Sequence, residues 1–493
     1  MILLAYPPFK EGGRSARWQG TSGTRGVYFM YPPWYLAYST ALMEKENLEV
    51  NLVDAVAEDM TDETFFERVN KIGPELLIIE PSTLTIDKDL QLMKRIKESI
   101  GCKIALTGTH ATALNNQIMR DNPFIDFILL GEYELTALEL AKNINLPRKY
   151  RDILGLVFRK GNSFQVNERR PLIQNLDSLP LPARHFLPMD RYNEAFAEVP
   201  NQQLWSSRGC VFNCVFCVLP QTFYNSTVRY RSPEKVIDEV EMLLEKYKPK
   251  EIYFDDDSLT LNLNHTLGIC REIKKRKLDI RWSAMGHAKI TEEVLKEMVD
   301  SGCVGVKFGV ESASPEVQQT IKKRLNIQDV KNFNKLAKKF GLRTHATYMI
   351  GLPGDTKRTI EKTLKLAVTL GTDMFQISIA TPYPGTEFYE WAKTNNYLVT
   401  NDFSRYDGNK EAVISYPNLS KEEIDSLFRK ALSLTSRLDF GVTRLFVRQE
   451  IQKHGTLGFI PVFFKEGTRY ANRLLKKHTF RLKAKISERA SGG

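Results

Sequence analysis

Over the first 145 positions, short and mostly apolar runs alternate with longer stretches of helical period. Residues 2–6, 49–53, 76–80, 103–107 and 127–130 have strand length, and residues 33–46, 61–70, 89–99 and 111–120 carry apolar positions at helical spacing between them. Strands that alternate with helices predict a doubly wound, Rossmann-like parallel sheet. Ligands of such sheets bind beyond the carboxyl ends of the strands. The loops at those ends are residues 7–26, 81–85, 108–110 and 131–132.

The pattern then breaks. Pro171, Pro180, Pro182 and Pro188 punctuate residues 146–195, which read as a connector. A second series begins near residue 196, with strands expected at 203–206, 251–254, 281–284, 305–309, 344–349 and 374–379. Helical stretches such as 233–247 and 292–301 lie between them. Six such units predict a partial (β/α)6 barrel of TIM type over residues 196–400, with its active site at the carboxyl end of the strands. Residues 401–493 turn helical, opening with a helix at 420–437 that has Ser420 as N-cap and Glu422 and Glu423 in its first turn.

The chemistry concentrates after the first barrel strand. Cys210, Cys214 and Cys217 stand in Arg-Gly-Cys-Val-Phe-Asn-Cys-Val-Phe-Cys, half of the six cysteines of the chain. A structural zinc site, or a cluster ligated only by protein, takes four ligands, and no second C-x2-C pair supplies a fourth. Three thiolates on a four-iron cluster leave one iron open. A disulfide scaffold is excluded by the count and by the tightness of the loop. Other residues carry weaker signals. Asp255, Asp256 and Asp257 end the second barrel strand, where contact with a ligand is favoured over a turn or cap. Gly309, Glu311 and Ser312 end the fourth strand, and Tyr383 follows the sixth, either facing the site or packed on its rim. His287 and His345 are isolated and read as structural.

With Phe216 before the last cysteine, the motif C-x3-C-x-aromatic-C resembles the signature of radical S-adenosylmethionine (SAM) enzymes. The loops at 309–312, 351–355 and 381–386, with Pro8 after strand one and Gly131-Glu132 after the last strand of the first domain, resemble the subfamily with an N-terminal cobalamin-binding domain. That subfamily includes class B methylases and anaerobic magnesium-protoporphyrin ester cyclases. The resemblance covers roughly residues 1–400. It implies a [4Fe–4S] cluster on Cys210, Cys214 and Cys217. It implies SAM contacts at Phe216, Asp255, Asp256, Gly309, Glu311 and Ser312, and cleavage of SAM to methionine and a 5′-deoxyadenosyl radical. For cobalamin it implies Pro8, Ser82, Thr83, Gly108, His110, Gly131 and Glu132. The D-x-H-x-x-G loop of several other cobalamin proteins is absent, so His110 is not read as a cobalt ligand. The implied reaction is methylation of an unactivated carbon in a small molecule or lipid, with electrons from a flavodoxin or ferredoxin. The enzymatic alternative is oxidation, cyclisation or rearrangement without methyl transfer. Methylthiotransferases need a second cluster, and Cys102, Cys270 and Cys303 are scattered.

Composition adds two constraints. At 493 residues, 42% hydrophobic, the chain has the material for two or three globular domains. No signal peptide and no apolar run of bilayer length is visible, and an oxygen-labile cluster needs a reducing compartment, so a cytoplasmic location is expected. Most of the net charge of +11 lies in residues 441–493, with twelve Lys and Arg against three Glu, interleaved with Leu445, Phe446, Phe459, Phe463 and Leu474. This basic apolar tail either packs on its own domain or lies on an anionic membrane surface. A nucleic-acid- or membrane-binding protein with a structural cluster is the reading of another class. An open-iron motif backed by barrel loops speaks against it, and no nucleic-acid partner is expected.

Overall fold

The computed structural model describes residues 1–9 and 30–438. The basic tail, with its membrane-surface reading, and most of the loop after the first strand lie outside the described residues. Residues 1–437 form one compact unit.

The first sheet has seven strands, β1 (Ile2–Tyr6), β2 (Val50–Asp54), β3 (Leu76–Ile79), β4 (Lys103–Leu106), β5 (Phe127–Leu129), β6 (Leu156–Lys160) and β7 (Ser163–Val166), in the order β2-β1-β3-β4-β5-β6-β7. The first five are parallel, as their pattern predicts. Leu76–Ile79 is buried along its whole length, as befits a strand covered on both faces. The order reverses between β1 and β3, which places a switch point at their carboxyl ends. Local chemistry sets the helix ends. Thr61 and Thr64 make a capping box at the start of the helix Asp62–Ile72, and Gly73 ends that helix in the left-handed conformation.

Three features differ from the sequence expectation. Residues 156–166, within the stretch read as a connector, form the antiparallel hairpin β6–β7 on the edge strand β5. The helix expected at 111–120 is two short helices, Gly108–Ala113 and Asn115–Asp121, divided at Leu114. A further helix, Glu134–Lys142, was not anticipated.

The second sheet has six parallel strands, β8 (Asn201–Leu204), β11 (Glu251–Phe254), β12 (Trp282–Gly286), β13 (Cys303–Glu311), β14 (Arg343–Ile350) and β15 (Met374–Ile379), in the order β15-β14-β13-β12-β11-β8. A short antiparallel ribbon, β9 (Ser207–Arg208) with β10 (Arg229–Tyr230), brackets the cysteine loop. The helix Lys421–Leu438 begins as the sequence predicts: Ser420 N–H donates to the Glu423 carboxylate at 2.9 Å, and Glu423 N–H donates to Ser420 Oγ at 3.3 Å. Among the described residues no helix is long and apolar enough to cross a membrane.

The two sheets share a core. Trp34, Tyr35 and Tyr38, on the helix Trp34–Lys45, pack in one cluster with Trp205, Phe223, Tyr224 and Tyr383 from the barrel side. One buried acid at the carboxyl end of the first sheet carries a pH signature. Burial pushes the Glu80 carboxyl up to about 7, partly opposed by the hydrogen bond that Tyr133 Oη donates to it at 2.7 Å. A raised carboxyl stabilises the fold in its protonated form. Its contribution is complete below the unfolded value and is lost as pH rises through about 7. Glu80→Gln is therefore expected to lessen the fall in stability between about pH 5 and about pH 8, by up to about 3 kcal/mol. Urea midpoints at the two pH values check this, and equal slopes in the two proteins would contradict it.

Candidate functional site

The cysteine loop is pinned at both ends. Gly209 precedes Cys210 with φ +98°, and a Cβ there would lie 2.0 Å from the Thr227 carbonyl oxygen, so only glycine fits. Gly209 N–H donates to Asp257 at 2.9 Å, and Cys217 N–H donates to the Cys214 carbonyl at 3.0 Å. Gln221 closes the loop from below. Its Nε2 donates to the carbonyls of Cys214 (3.1 Å) and Cys217 (2.8 Å), and its Oε1 accepts from Glu387 N–H at 2.7 Å. The loop is thereby tied to the turn after β15.

The three thiols act on one another electrostatically, and among the described residues no group of three such donors is drawn close enough to hold a metal ion. Burial pushes Cys210 up to about 11, and the neighbouring Asp257 and Cys214 add to it. Cys217 is pushed up by burial and then by Cys214, Asp257 and Cys210. Among the described residues, the Lys323 charge acts on all three. Three desolvated donors that repel one another as thiolates need more positive charge than one lysine supplies. A cationic iron–sulfur core fits that donor set.

Lys323 is itself held by Glu311 at 2.9 Å. Glu311 has φ +64°, beside an irregularity in the β13–β14 register. A Cβ on Gly309 would fall 2.1 Å from Glu311 Oε1 and 2.9 Å from Lys323 Nζ, so the glycine makes room for the pair. Ser312, in contrast, bonds within its own turn, accepting from Ser314 N–H at 3.2 Å. Phe216 is partly buried against the barrel core.

The aspartates of β11 hold protein groups. Asp256 accepts from Ser206 Oγ at 2.9 Å and from Ser207 Oγ, and burial pushes it up to about 6. Asp255 accepts from the indole N–H groups of Trp34 and Trp205, each at 3.3 Å. Both fasten the first barrel strand and the cysteine loop. Tyr383 is buried, and its hydroxyl donates to the Tyr406 carbonyl at 3.0 Å, which places it in the packed rim.

The first-domain candidates gather at the carboxyl edge of their sheet. His110 Nδ1 pairs with Thr83 Oγ1 at 3.2 Å, its ring meets Phe403 edge-on, and burial lowers it to about 3. Ser82 Oγ bonds Thr85 Oγ1 at 2.9 Å, and Gly131 N–H donates to Thr112 Oγ1 at 3.0 Å. Gly108 approaches Glu80 closely, and Pro8 is buried after β1. Glu132 accepts from Arg208 at 2.9 Å, from Arg229 at 2.6 Å and from Ile173 N–H at 2.9 Å. Burial opposes its charge, and the two arginines more than offset this, holding the carboxyl below its ordinary range.

Four residues important to this geometry carry no reading from sequence: Gln221, Lys323, Arg208 and Glu134. Arg208 stands two positions before Cys210, bonded to Glu132 and, at 2.5 Å, to Glu134. Its adjacency to the motif was the available signal. Its guanidinium also lies over the rings of Tyr35 (5.0 Å), Tyr38 (4.7 Å) and Trp205 (5.3 Å). Arg208→Met is expected to cost about 3 kcal/mol of stability, because it leaves the buried Glu134 without its arginine and Glu132 with Arg229 alone. Chemical denaturation checks this, and a loss under about 1 kcal/mol would contradict the role assigned to the bridge.

The comparisons with known proteins agree with this geometry. The model of the radical SAM superfamily matches residues 206–367. An uncharacterized methyltransferase of Pyrococcus horikoshii is 36% identical over 433 residues, 87% of this chain and 91% of that protein. The anaerobic magnesium-protoporphyrin IX monomethyl ester cyclase of Rubrivivax gelatinosus is 26% identical, over 82% of this chain and 72% of the cyclase. The structure of the radical SAM methyltransferase TsrM from Kitasatospora setae shares the fold, with a TM-score of 0.63 at 17% identity, covering 81% of this chain and 79% of TsrM.

Proposed function

The chain belongs to the radical SAM superfamily, and on that premise we propose that it methylates a carbon atom of a small molecule, with a [4Fe–4S] cluster, SAM and a corrinoid. One observation carries the reading. The carboxyl edge of the first sheet packs against the carboxyl end of the barrel, beside the three cysteines. Gly131 approaches the Thr222 carbonyl, Ala113 approaches Gly385, and Glu132 grips Arg208. A cofactor on each sheet edge would thus share one chamber.

Cys210, Cys214 and Cys217 would hold the cluster and leave one iron for SAM. Lys323 and Glu311 pair beside these cysteines. At the other edge, Ser82, Thr83, Gly108 and Gly131 lie at the strand ends beside Glu80 and the His110 ring, which Phe403 covers. A corrinoid would be held at that edge, and the TsrM structure contains cobalamin. When bound, the cluster supplies the electron that cleaves SAM, and the corrinoid supplies the methyl group. The protein positions the groups and keeps water out. Trp34, Tyr35, Trp205 and Phe223 seal the seam between the sheets. The methyltransferase relative favours this reaction over non-methylating chemistry. The cyclase relative carries the alternative, in which the substrate is oxidised or cyclised.

The reconstituted, reduced protein is expected to form both 5′-deoxyadenosine and S-adenosylhomocysteine with its substrate. Deoxyadenosine alone would favour the alternative, and neither product would exclude both. Cys214→Ala is expected to lose the cluster and all SAM cleavage. Full iron content with retained turnover in that variant would remove the ligand assignment. Anaerobic purification in corrinoid-supplied cells, followed by absorption spectroscopy of the extract, tests the first-domain site directly.

A further inference from the structure

The barrel lumen carries a second set of groups that the cofactors do not absorb. Met285 on β12, Lys307 on β13, His345 on β14 and Met374 on β15 are lateral partners in the parallel register. Lateral partners point to one face of a sheet. One layer toward the amino ends, Gly305 lies against the Phe196 ring, where a Cβ would be 2.7 Å from it. Phe196 also packs with Met285 and Met374, so it plugs the closed end of the lumen and marks this face as the inner one. The two methionines and Lys307 are only half-buried, unlike the core around them.

The charges of this layer are matched among themselves. Lys307 Nζ lies 3.3 Å from Glu194, which also accepts from Tyr31 Oη and from Phe196 N–H at 3.0 Å. His345 differs. It is 7% exposed, and among the described residues neither Nδ1 nor Nε2 has a hydrogen-bond partner. Burial, then the Lys307 charge, lowers it well below its ordinary value, so the ring is neutral. A neutral imidazole presents one donor and one acceptor. Leaving both unmet is costly in a buried place. The residues beyond it toward the open end, Thr347, Gly309 and Gln376, are half-buried and give a way in.

We propose that His345 recognises the substrate, and that the group it takes is uncharged and both donates and accepts, a hydroxyl or a primary amide, on a molecule apolar enough to lie between Met285, Met374 and Phe196. A carboxylate would satisfy only the donor nitrogen and an ammonium only the acceptor. Either would also bring a net charge into a layer where Lys307 and Glu194 already balance. The assignment rests on the proposed radical SAM function only for the statement that the lumen is where the substrate sits.

Four six-carbon probes test it on the full-length, anaerobically reconstituted protein: 1-hexanol, hexanamide, hexanoate and hexylammonium. Binding is read by saturation-transfer NMR with competition. The two neutral probes are expected to compete with each other and to bind at least about tenfold tighter than the charged ones, as the loss of a buried hydrogen bond implies. His345→Phe is expected to remove that preference. His345→Gln, which keeps a donor and an acceptor, is expected to retain it, and His345→Leu replaces the Phe variant if that one does not fold. The proposal falls if a charged probe binds as well as the neutral ones, if no probe saturates, or if the preference survives in a folded His345→Phe or His345→Leu protein. Iron content and SAM cleavage are measured on the same preparations. Loss of these with the probe preference intact overturns the proposed function alone, and the reverse result overturns this assignment alone.

Discussion

The buried bridge of Arg208 and Arg229 with Glu132 and Glu134 is the constraint on which the site depends. Four charges are removed from water between two sheets, and such a lattice is tolerated only where partners are placed well. Placement here is mutual. Glu132 and Glu134 follow β5 of the first sheet, and the arginines lie on the ribbon that brackets the cysteines. Among the described residues, several guanidinium N–H groups of Arg208 and Arg229 have no hydrogen-bond acceptor. Aromatic faces stand in that space, Tyr35, Tyr38 and Trp205 around Arg208, and Tyr224 beside Arg229 at 5.6 Å. A second lattice repeats the device on the flank of the barrel. Glu239 takes Arg184 at 2.5 Å and also Arg231, and Arg231 reaches the Trp205 carbonyl at 2.8 Å. The strand that leads into the cysteine loop is thus held by charge on both sides.

The same constraint gives the carboxylates that crowd the motif their protein partners. Asp255, Asp256 and Asp257 end β11, beside the first barrel strand in a parallel sheet. Their oxygens are spent on Trp34, Trp205, Ser206, Ser207 and Gly209. A loop that must present three sulfurs to one cluster cannot be left to its own propensities, because it has no regular hydrogen bonding. The neighbouring strand end supplies the acceptors, and Gln221 supplies the donors for the carbonyls. The loop is rigid because side chains from distant elements complete its backbone bonding.

Legibility in the sequence follows from the same distinction between local and distant causes. The cysteine motif is local, and its chemistry is set by residue type and spacing. The parallel strands are also local, since a run such as Leu76–Ile79 admits few other fates. The hairpin β6–β7 was obscured because Ser163–Val166 is mostly exposed and polar, and because its pairing with β5 spans an intervening helix. The aspartates and Tyr383 were ambiguous because their partners lie far away in sequence: Ser206 and Ser207 about fifty residues before Asp256, and Tyr406 twenty-three residues after Tyr383. The lone histidines had no pattern to set them apart. Only the register that places Lys307, His345 and Met374 side by side gives His345 a context.

The division of charge across the chamber bears on the chemistry it can hold. Ion pairs occupy the seam and the floor: Arg208 with Glu132, Lys307 with Glu194, and Arg343 with Glu251 at 2.5 Å. Between floor and cluster the inner face offers thioethers, a threonine, a glycine and a neutral imidazole. A reactive intermediate is quenched by the nearest weak bond or by water, so a chamber for it needs few mobile polar groups. Pairing every strong charge inside the wall meets that need, because a paired and desolvated ion recruits no water. His345, one of the buried polar groups without a partner among the described residues, is then free to orient a substrate and carries no charge of its own. Its place, two residues toward the floor from Thr347, sets one end of the molecule about 7 Å deeper than the open layer. The other end would then lie nearer the cysteines, and the distance between the recognised group and the reacting carbon becomes the length that the barrel selects.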